Sequence, residues 1–236
     1  MEGFSLKIIG DLMIYMVVWL FAVSAHEAAH AWMSWKFGDD TAYRLGRVTL
    51  NPIPHIDPIG TLLLPILGFF LTYSGSITGI PLIMWGKPTP VNPLNWRRKD
   101  LANVMVSGAG IAVNMIIAIV AMFTIKMLTV YGVFTLDNIK GSFLEPLFMI
   151  LMSTVFLNVG LAIFNLLPFP PLDGSKILQT FLPASFEPYF ELLETYGFLI
   201  LLVLMQMGIL RMIVVPLNNF VSVSYTHLTM PTKRIV

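Results

Sequence analysis

The chain has 236 residues, of which 56% are hydrophobic and only 11% are charged. About a quarter of the residues in a soluble domain are charged, so this composition excludes an ordinary soluble protein and indicates a helical membrane protein. The formal net charge of +1 gives no indication of nucleic-acid binding. The absence of cysteine excludes disulfides, thiolate metal ligands and thiol nucleophiles, so a bound metal would need His, Asp, Glu or backbone oxygen ligands.

Five apolar segments follow one another along the chain, at residues 8–35, 58–85, 101–125, 143–167 and 194–216. The second contains several prolines and glycines, which indicates one bent span or a short hairpin. A Pro-rich stretch that continues as a short amphipathic or buried helix, residues 166–183, lies between the last two. We therefore predict an all-α polytopic membrane protein with five or six transmembrane helices and a short re-entrant or β-strand region near the active site.

The chain shows no linker or internal repeat that would separate a second domain. Residues 1–221 are predicted to form a single membrane core. The stretch from residue 222 to 236 is polar and has no apolar periodicity, so we expect a disordered or artefactual tail that includes His227.

Basic residues predict the orientation of the segments. Lys36, Arg44 and Arg47 follow the first segment, and four further basic residues between 87 and 99 precede the third. The loop 126–141 carries only two. Because basic residues favour the cytoplasmic side of short loops, the first segment is expected to end at the inner face of a plasma membrane.

The first segment contains the sequence HEAAH, an HExxH motif formed by His26, Glu27 and His30. On a helix the two histidines lie on one face, where two imidazole nitrogens can reach a single metal ion. Glu27 lies about 100° round the helix from His26, a position suited to a base that activates water. In a soluble helix such a motif is often a salt-bridged surface, but ionisable groups in an apolar span are costly and favour a functional site.

Two histidines leave a tetrahedral metal one protein ligand short. Asp173 is the best candidate, because it follows the fourth segment on the same predicted side as the histidines. The prolines before it interrupt helical hydrogen bonding, and Gly174 would permit an unusual backbone angle. An ordinary Asp-Gly turn is the alternative interpretation of this pair.

The two motifs together resemble those of the site-2 proteases, intramembrane zinc metalloproteases that cut membrane segments of other proteins. HEAAH matches the family's first motif, and NLLPFPPLDG, with Asn165, Pro168, Asp173 and Gly174, matches its second. The resemblance covers about residues 8–216. Within the family, the chain is most similar to compact prokaryotic members without a PDZ domain. It implies one zinc ion per chain held by His26, His30 and Asp173, with Glu27 as the catalytic base. Asn165 would position substrate or stabilise an oxyanion, or else form an interhelical hydrogen bond.

Three further stretches could contribute to the site, two through polar side chains and one through its backbone. SGAGIAVN, residues 107–114, resembles a family motif but has Ala109 in place of proline, so its small and polar residues are expected to serve helix packing. His55 and Asp57 would line a water path or orient a ligand, or would shape a Pro-flanked turn. Residues 42–50 alternate well enough to predict a strand that, with KPTPVN, offers an edge to an extended substrate.

The resemblance implies an intramembrane endopeptidase whose partners are the bilayer and a membrane-protein substrate with a single transmembrane segment. A homo-oligomer or a regulatory membrane partner stays open. Three alternatives remain at this point: a membrane metal transporter, a non-catalytic membrane chaperone, and another HExxH protease class in which Glu191 or Glu194 is the third ligand. The intact Glu27 and ligands focused on one point argue against the first two.

Overall fold

The computed structural model describes residues 2–75 and 84–208, and within these ranges the chain is helical and has no strand. Short 3-10 turns join several of the helices, and π-helical turns over Pro58–Leu63 lead into the third helix. In these described ranges the α-helices are α1 (Glu2–Lys36), α2 (Thr41–Arg44), α3 (Leu64–Tyr73), α4 (Lys99–Val130), α5 (Leu136–Ile139), α6 (Leu144–Leu166), α7 (Asp173–Phe181) and α8 (Glu187–Gln206).

Three helices of the described part are long and apolar enough to cross a membrane: Leu6–Lys36 of α1, α4 and α6. The shortest, α6, has 23 residues. At about 1.5 Å per residue it extends about 35 Å, enough for a hydrocarbon core of about 30 Å. The first, third and fourth predicted segments are therefore confirmed as helices of membrane length.

The other two predicted segments are only partly described. The apolar helix Pro58–Tyr73 is shorter than a span, and residues 76–83 lie outside the described ranges. Helix α8 contains the start of the predicted segment 194–216, and residues 209–216 again lie outside. The count of five or six spans stays a prediction, as does the expectation for the tail 222–236.

Helix α4 lies at the centre of the bundle and packs against both α1 and α6. Its buried face consists largely of small residues, which let helix backbones approach closely in a membrane. Near its end, Ile125 packs with Val155 and Val159 of α6. This packing holds α1 and α6 at fixed positions on either side of α4. The small residues of the buried α4 face are Ala102, Ser107, Ala109, Gly110, Ala118 and Ala121.

The predicted strand at residues 42–50 is wrong. Thr41–Arg44 forms the helical turn α2, since the Asp39 carboxylate accepts hydrogen bonds from the Thr41 backbone and side chain. Gly46 then adopts a φ of +68°, in the left-handed region, which turns the chain away from an extended path. The apolar alternation reflects a folded loop in which the Arg47 side chain is buried.

The break between α6 and α7 brings Asp173 back to the bundle. Helix α6 ends at Leu166, and α7 begins at Asp173, as the predicted short helix in this region requires. The expectation of an unusual backbone angle at Gly174 is wrong, because this residue lies inside α7. It is glycine for another reason: a Cβ there would collide with the backbone carbonyl oxygens of Leu166 and Leu167.

Candidate metal centre

His26, His30 and Asp173 meet at one buried point. Their ligand atoms all lie within 4.8 Å of one another, although 147 positions separate His26 from Asp173 in the sequence. The histidines are one turn apart on α1, and the carboxylate comes from the first residue of α7. Each of the three residues is at most 9% exposed. The structure thus brings together the three residues that the sequence predicts as ligands.

The distances between these atoms suit a tetrahedral metal. The two histidine Nε2 atoms are 3.0 Å apart. Asp173 Oδ2 lies 3.1 Å from Nε2 of His26 and 3.2 Å from Nε2 of His30. Zinc bonds of 2.0–2.1 Å to tetrahedral nitrogen and oxygen ligands place neighbouring ligand atoms about 3.3 Å apart. The donor set therefore fits a zinc ion.

The tautomer of His30 also suits a metal ligand. The Nδ1 atom of His30 lies 2.7 Å from the Val106 carbonyl oxygen, and because a carbonyl can only accept, Nδ1 carries the proton. In a neutral imidazole, Nε2 is then left with a free lone pair facing the other two ligands.

Gly110 of α4 forms part of the wall behind the two imidazole rings. A Cβ at this position would lie 2.5 Å from Cε1 of His26 and 2.6 Å from Nε2 of His30. No other residue type leaves room for the histidine pair at this backbone separation. The sequence analysis placed Gly110 in a packing motif, so its contact with the histidines was missed. Its spacing along α4 carries no signal for that role.

Glu27 lies beside the histidines and is held from outside the helix. Its Oε2 atom accepts a hydrogen bond from the backbone N–H of Thr89 at 2.8 Å and lies 2.8 Å from the Thr89 hydroxyl. Within residues 2–75 and 84–208, the other oxygen, Oε1, has no hydrogen-bond partner. Thr89 belongs to the stretch KPTPVN, which the sequence analysis assigned to an edge for an extended substrate without giving this residue a role.

The histidines and Glu27 line a cleft of about 650 Å³. The lining residues come from α1, the stretch 84–93, the start of α4, the end of α6, α7 and α8. Asn165 lines the cleft. Its side-chain amide donates to the Leu161 carbonyl of its own helix at 3.0 Å, so this contact is not the interhelical hydrogen bond that the sequence analysis gave as an alternative. The suggested role of Asn165 toward substrate stays a prediction.

Glu191 and Glu194 lie outside the ligand cluster. Glu194 lines the same cleft, but the group of residues able to share one metal consists of His26, His30 and Asp173 in the described part of the chain. Lys176, one turn after Asp173, places its Nζ 3.9 Å from Asp173 Oδ1, whereas Oδ2 is the oxygen that lies close to the histidines. Asp173 therefore fits the third ligand position better than either glutamate.

His55 and Asp57 shape the loop before α3. Asp57 accepts hydrogen bonds from the backbone N–H groups of Ile59 and Gly60. His55 is buried, which lowers its pKa, and its Nε2 lies 3.0 Å from the Thr49 carbonyl. Neither side chain lines the cleft. Their contacts support the turn rather than the water path.

Two histidines and a glutamate on a helix of membrane length, with a buried carboxylate beside the histidines, form the kind of site found in a membrane metalloprotease. Comparison with known proteins agrees with this class. Residues 94–207 match the sequence model of peptidase family M50. A Bacillus subtilis protein with the provisional name zinc metalloprotease YwhC is 37% identical over 212 residues, which cover 89% of this chain and 85% of YwhC.

A second relative is more distant. A Mycolicibacterium smegmatis protein, provisionally named zinc metalloprotease Rip2, is 28% identical over 204 residues, which cover 85% of this chain and 69% of Rip2. No solved structure matches the chain. The chain belongs to peptidase family M50, the site-2 protease family. This confirms the resemblance and the predicted class, a zinc metalloprotease associated with a membrane.

Proposed function

We propose that the chain is an intramembrane zinc metalloendopeptidase that cleaves transmembrane or membrane-proximal segments of other proteins. The observation that carries the proposal is the convergence of His26, His30 and Asp173 on one buried point in the wall of the cleft. His26 and His30 lie on a helix of membrane length, so the site belongs to the membrane core rather than to an appended domain.

His26, His30 and Asp173 would hold one zinc ion per chain. When bound, zinc would act as a Lewis acid and lower the pKa of a coordinated water molecule to about 7. The protein contributes the orientation of the ligands. Val106 sets the tautomer of His30, and Gly110 leaves space for both rings.

Glu27 acts as the general base and then as the general acid. As the oxygen of a water molecule bonds to the scissile carbonyl carbon, one proton of that water passes to the Glu27 carboxylate. Glu27 then gives this proton to the amine nitrogen as the C–N bond breaks. Asn165, on the cleft wall, offers an amide group to position the substrate or the developing oxyanion.

Cleavage within a membrane requires water and an unwound substrate, because the peptide groups of an intact helix are hydrogen-bonded to each other. The cleft of about 650 Å³ gives room for both. We place the active site near the cytoplasmic face of the plasma membrane, since basic residues cluster after α1 and before α4. A membrane protein with a single transmembrane segment is the proposed substrate class.

Zinc content and cleavage, measured on the same purified preparations, test this proposal. We expect Glu27→Gln to keep about one zinc per chain and to lose turnover of single-span fusion substrates by at least about a thousandfold, since the general base is removed. His26→Ala, His30→Ala and Asp173→Ala should lose zinc as well as activity. Glu191→Gln changes an exposed glutamate outside the cleft and serves as the matched control.

Two outcomes would contradict the proposal. Cleavage by Glu27→Gln at the wild-type rate would show that Glu27 is not the general base. Retention of zinc by Asp173→Ala together with its loss from Glu194→Ala would assign the third ligand to α8 instead.

A further inference from the structure

The stretch from Trp85 to Asn92, called here the 85–92 segment, lies against Glu27 and has no part in the zinc ligand set. Thr89, at its middle, makes two contacts with a single carboxylate oxygen. The backbone N–H donates to Glu27 Oε2 at 2.8 Å, and the hydroxyl lies at the same distance from that oxygen. The hydroxyl is also 3.0 Å from the Glu27 backbone carbonyl, so its single proton has two acceptors on one residue.

The residues beside Thr89 prepare it for this contact. Pro88 and Pro90 have no backbone N–H, and each has a φ restrained near −65°. A residue before a proline is also confined to extended backbone angles. Thr89 is therefore the one N–H donor between Lys87 and Val91, on a stretch of limited backbone freedom.

Both ends of the 85–92 segment are fastened to the protein. At the first end, the Lys87 N–H donates to the His55 carbonyl at 2.9 Å. The buried Arg47 guanidinium also donates to the Lys87 carbonyl at 3.3 Å. At the other end, the Asn92 N–H donates to Asp39 Oδ2 at 2.8 Å. Thr89 is thus held at a set position relative to α1.

This contact leaves the two oxygens of Glu27 in different situations. Oε2 is held by Thr89, whereas Oε1 has no partner in the described residues. A glutamate side chain has three rotatable bonds, and fixing one oxygen removes most of that freedom. A base whose carboxylate is already oriented when the substrate binds reacts faster, because a misplaced reacting group lowers the rate.

We infer that Thr89 is a positioning residue that orients the Glu27 carboxylate through Oε2 and leaves Oε1 free to take and return the proton. The inference rests on the proposed function, because it assumes that Glu27 is the base. Thr89 acts through Glu27 and touches neither the metal ligands nor, by this role, the substrate. It therefore affects turnover rather than zinc binding or substrate affinity.

Steady-state cleavage of a fluorescent single-span fusion protein in detergent micelles tests the inference, with zinc content measured on each preparation. Thr89→Val removes the hydroxyl, keeps the backbone N–H and has nearly the same volume. We expect kcat to fall about tenfold, as for loss of a hydrogen bond to a charged group, with KM and zinc content unchanged. Thr89→Ser restores the hydroxyl and should restore most of kcat.

Thr124→Val is the matched control. The Thr124 hydroxyl donates to the Val120 carbonyl of its own helix, and the residue lies outside the cleft. We expect its kcat, KM and zinc content to equal those of the wild type.

Several results would overturn the inference. Wild-type kcat in Thr89→Val would show that the hydroxyl does not orient the base, and a raised KM at unchanged kcat would make Thr89 a substrate contact. Loss of zinc or of helical content in Thr89→Val, or failure of Thr89→Ser to recover kcat, would assign the residue a structural role. An active Glu27→Gln variant would refute the proposed function itself, whereas an inactive Glu27→Gln beside a fully active Thr89→Val would refute only the inference.

Discussion

Gly110 determines how closely α4 can approach the two histidines. A Cβ at this position would lie 2.5 to 2.6 Å from ring atoms of His26 and His30, closer than a carbon atom can come to a ring without displacing it. The Nδ1 of His30 also bonds to the carbonyl of Val106, one turn earlier on the same helix. One face of α4 therefore supplies both the space and the orientation that the ligand pair needs.

Gly110→Ala tests this arrangement. The added methyl group must displace either the imidazoles or α4, so we expect zinc affinity to fall by about tenfold or more, with a parallel loss of activity. The measurement is zinc retained per chain during titration with a competing chelator.

Gly108→Ala is the control for that substitution, on the same helix. The nearest atom to its added Cβ is the Ile177 side chain at 4.0 Å, so the change should leave zinc affinity unaltered. Equal zinc affinity in Gly110→Ala and wild type would show that the wall is not required.

Asp39 links the end of α1 to the segments that follow it. Its buried carboxylate accepts hydrogen bonds from Ser34 in α1, from Thr41 in α2, and from Asn92 and Asn95 near the start of α4. Burial by itself would raise the pKa of Asp39, but these donors outweigh it and lower that pKa to about 2 from 3.8. One carboxylate thus keeps three elements together and fastens the 85–92 segment.

Asp39→Asn should destabilise the protein. The new amide group would turn N–H donors toward groups that are already donors, which we expect to cost about 2 kcal/mol in the free energy of unfolding. Unfolding in mixed detergent micelles measures this. Asp40→Asn alters an adjacent carboxylate whose side chain is 44% exposed and paired with Arg44 on the surface, so it should cost well under about 1 kcal/mol.

The same carboxylate gives a pH dependence with a definite sign. Because the pKa of Asp39 is lower in the folded protein than in the unfolded chain, its contribution to stability is complete above about pH 4 and is lost as the pH falls toward 2. The Asp39→Asn variant should lack this part of the acid sensitivity. An equal loss of stability between pH 4 and 2 in both proteins would contradict the assignment.

At the scale of the whole molecule, the helices of membrane length in the described part of the chain, α1, α4 and α6, hold the site on one side of the bundle. His26 and His30 lie near the end of α1, Val106 near the start of α4, and Asp173 just after the end of α6. These ends lie together because α4 runs antiparallel to both of its neighbours. The basic residues of the loops place this side of the bundle at the cytoplasm in our proposal.

Single cysteines test that orientation, since the chain has none of its own. Leu94 and Tyr131 are each 78% exposed and precede and follow α4. We expect a membrane-impermeant maleimide to label Tyr131→Cys on intact cells and Leu94→Cys only after the cells are opened. The reverse pattern would contradict the proposed cytoplasmic site.

The predicted ligand residues that the structure brings together have strong local signals in the sequence. His26 and His30 are four apart on a helix, and Asp173 belongs to a motif with fixed spacing. The predicted strand at 42–50 failed because apolar alternation does not reveal that Asp39 closes a helical turn or that Gly46 takes a left-handed angle. Gly174 was recognised as necessary for the wrong reason, since the lack of space beside Leu166 is a property of packing.

The sequence by itself determined the membrane-length helices and the family, and it predicted the three ligand residues, because hydropathy, helical period and motif spacing can be read directly along the chain. Only the tertiary structure decided that Gly110 faces the imidazoles and that Thr89 holds Glu27. These contacts join positions that are 62 or more residues apart and depend on the distances at which α4 and the 85–92 segment approach α1. No local pattern encodes such distances; they result from the packing of the whole bundle.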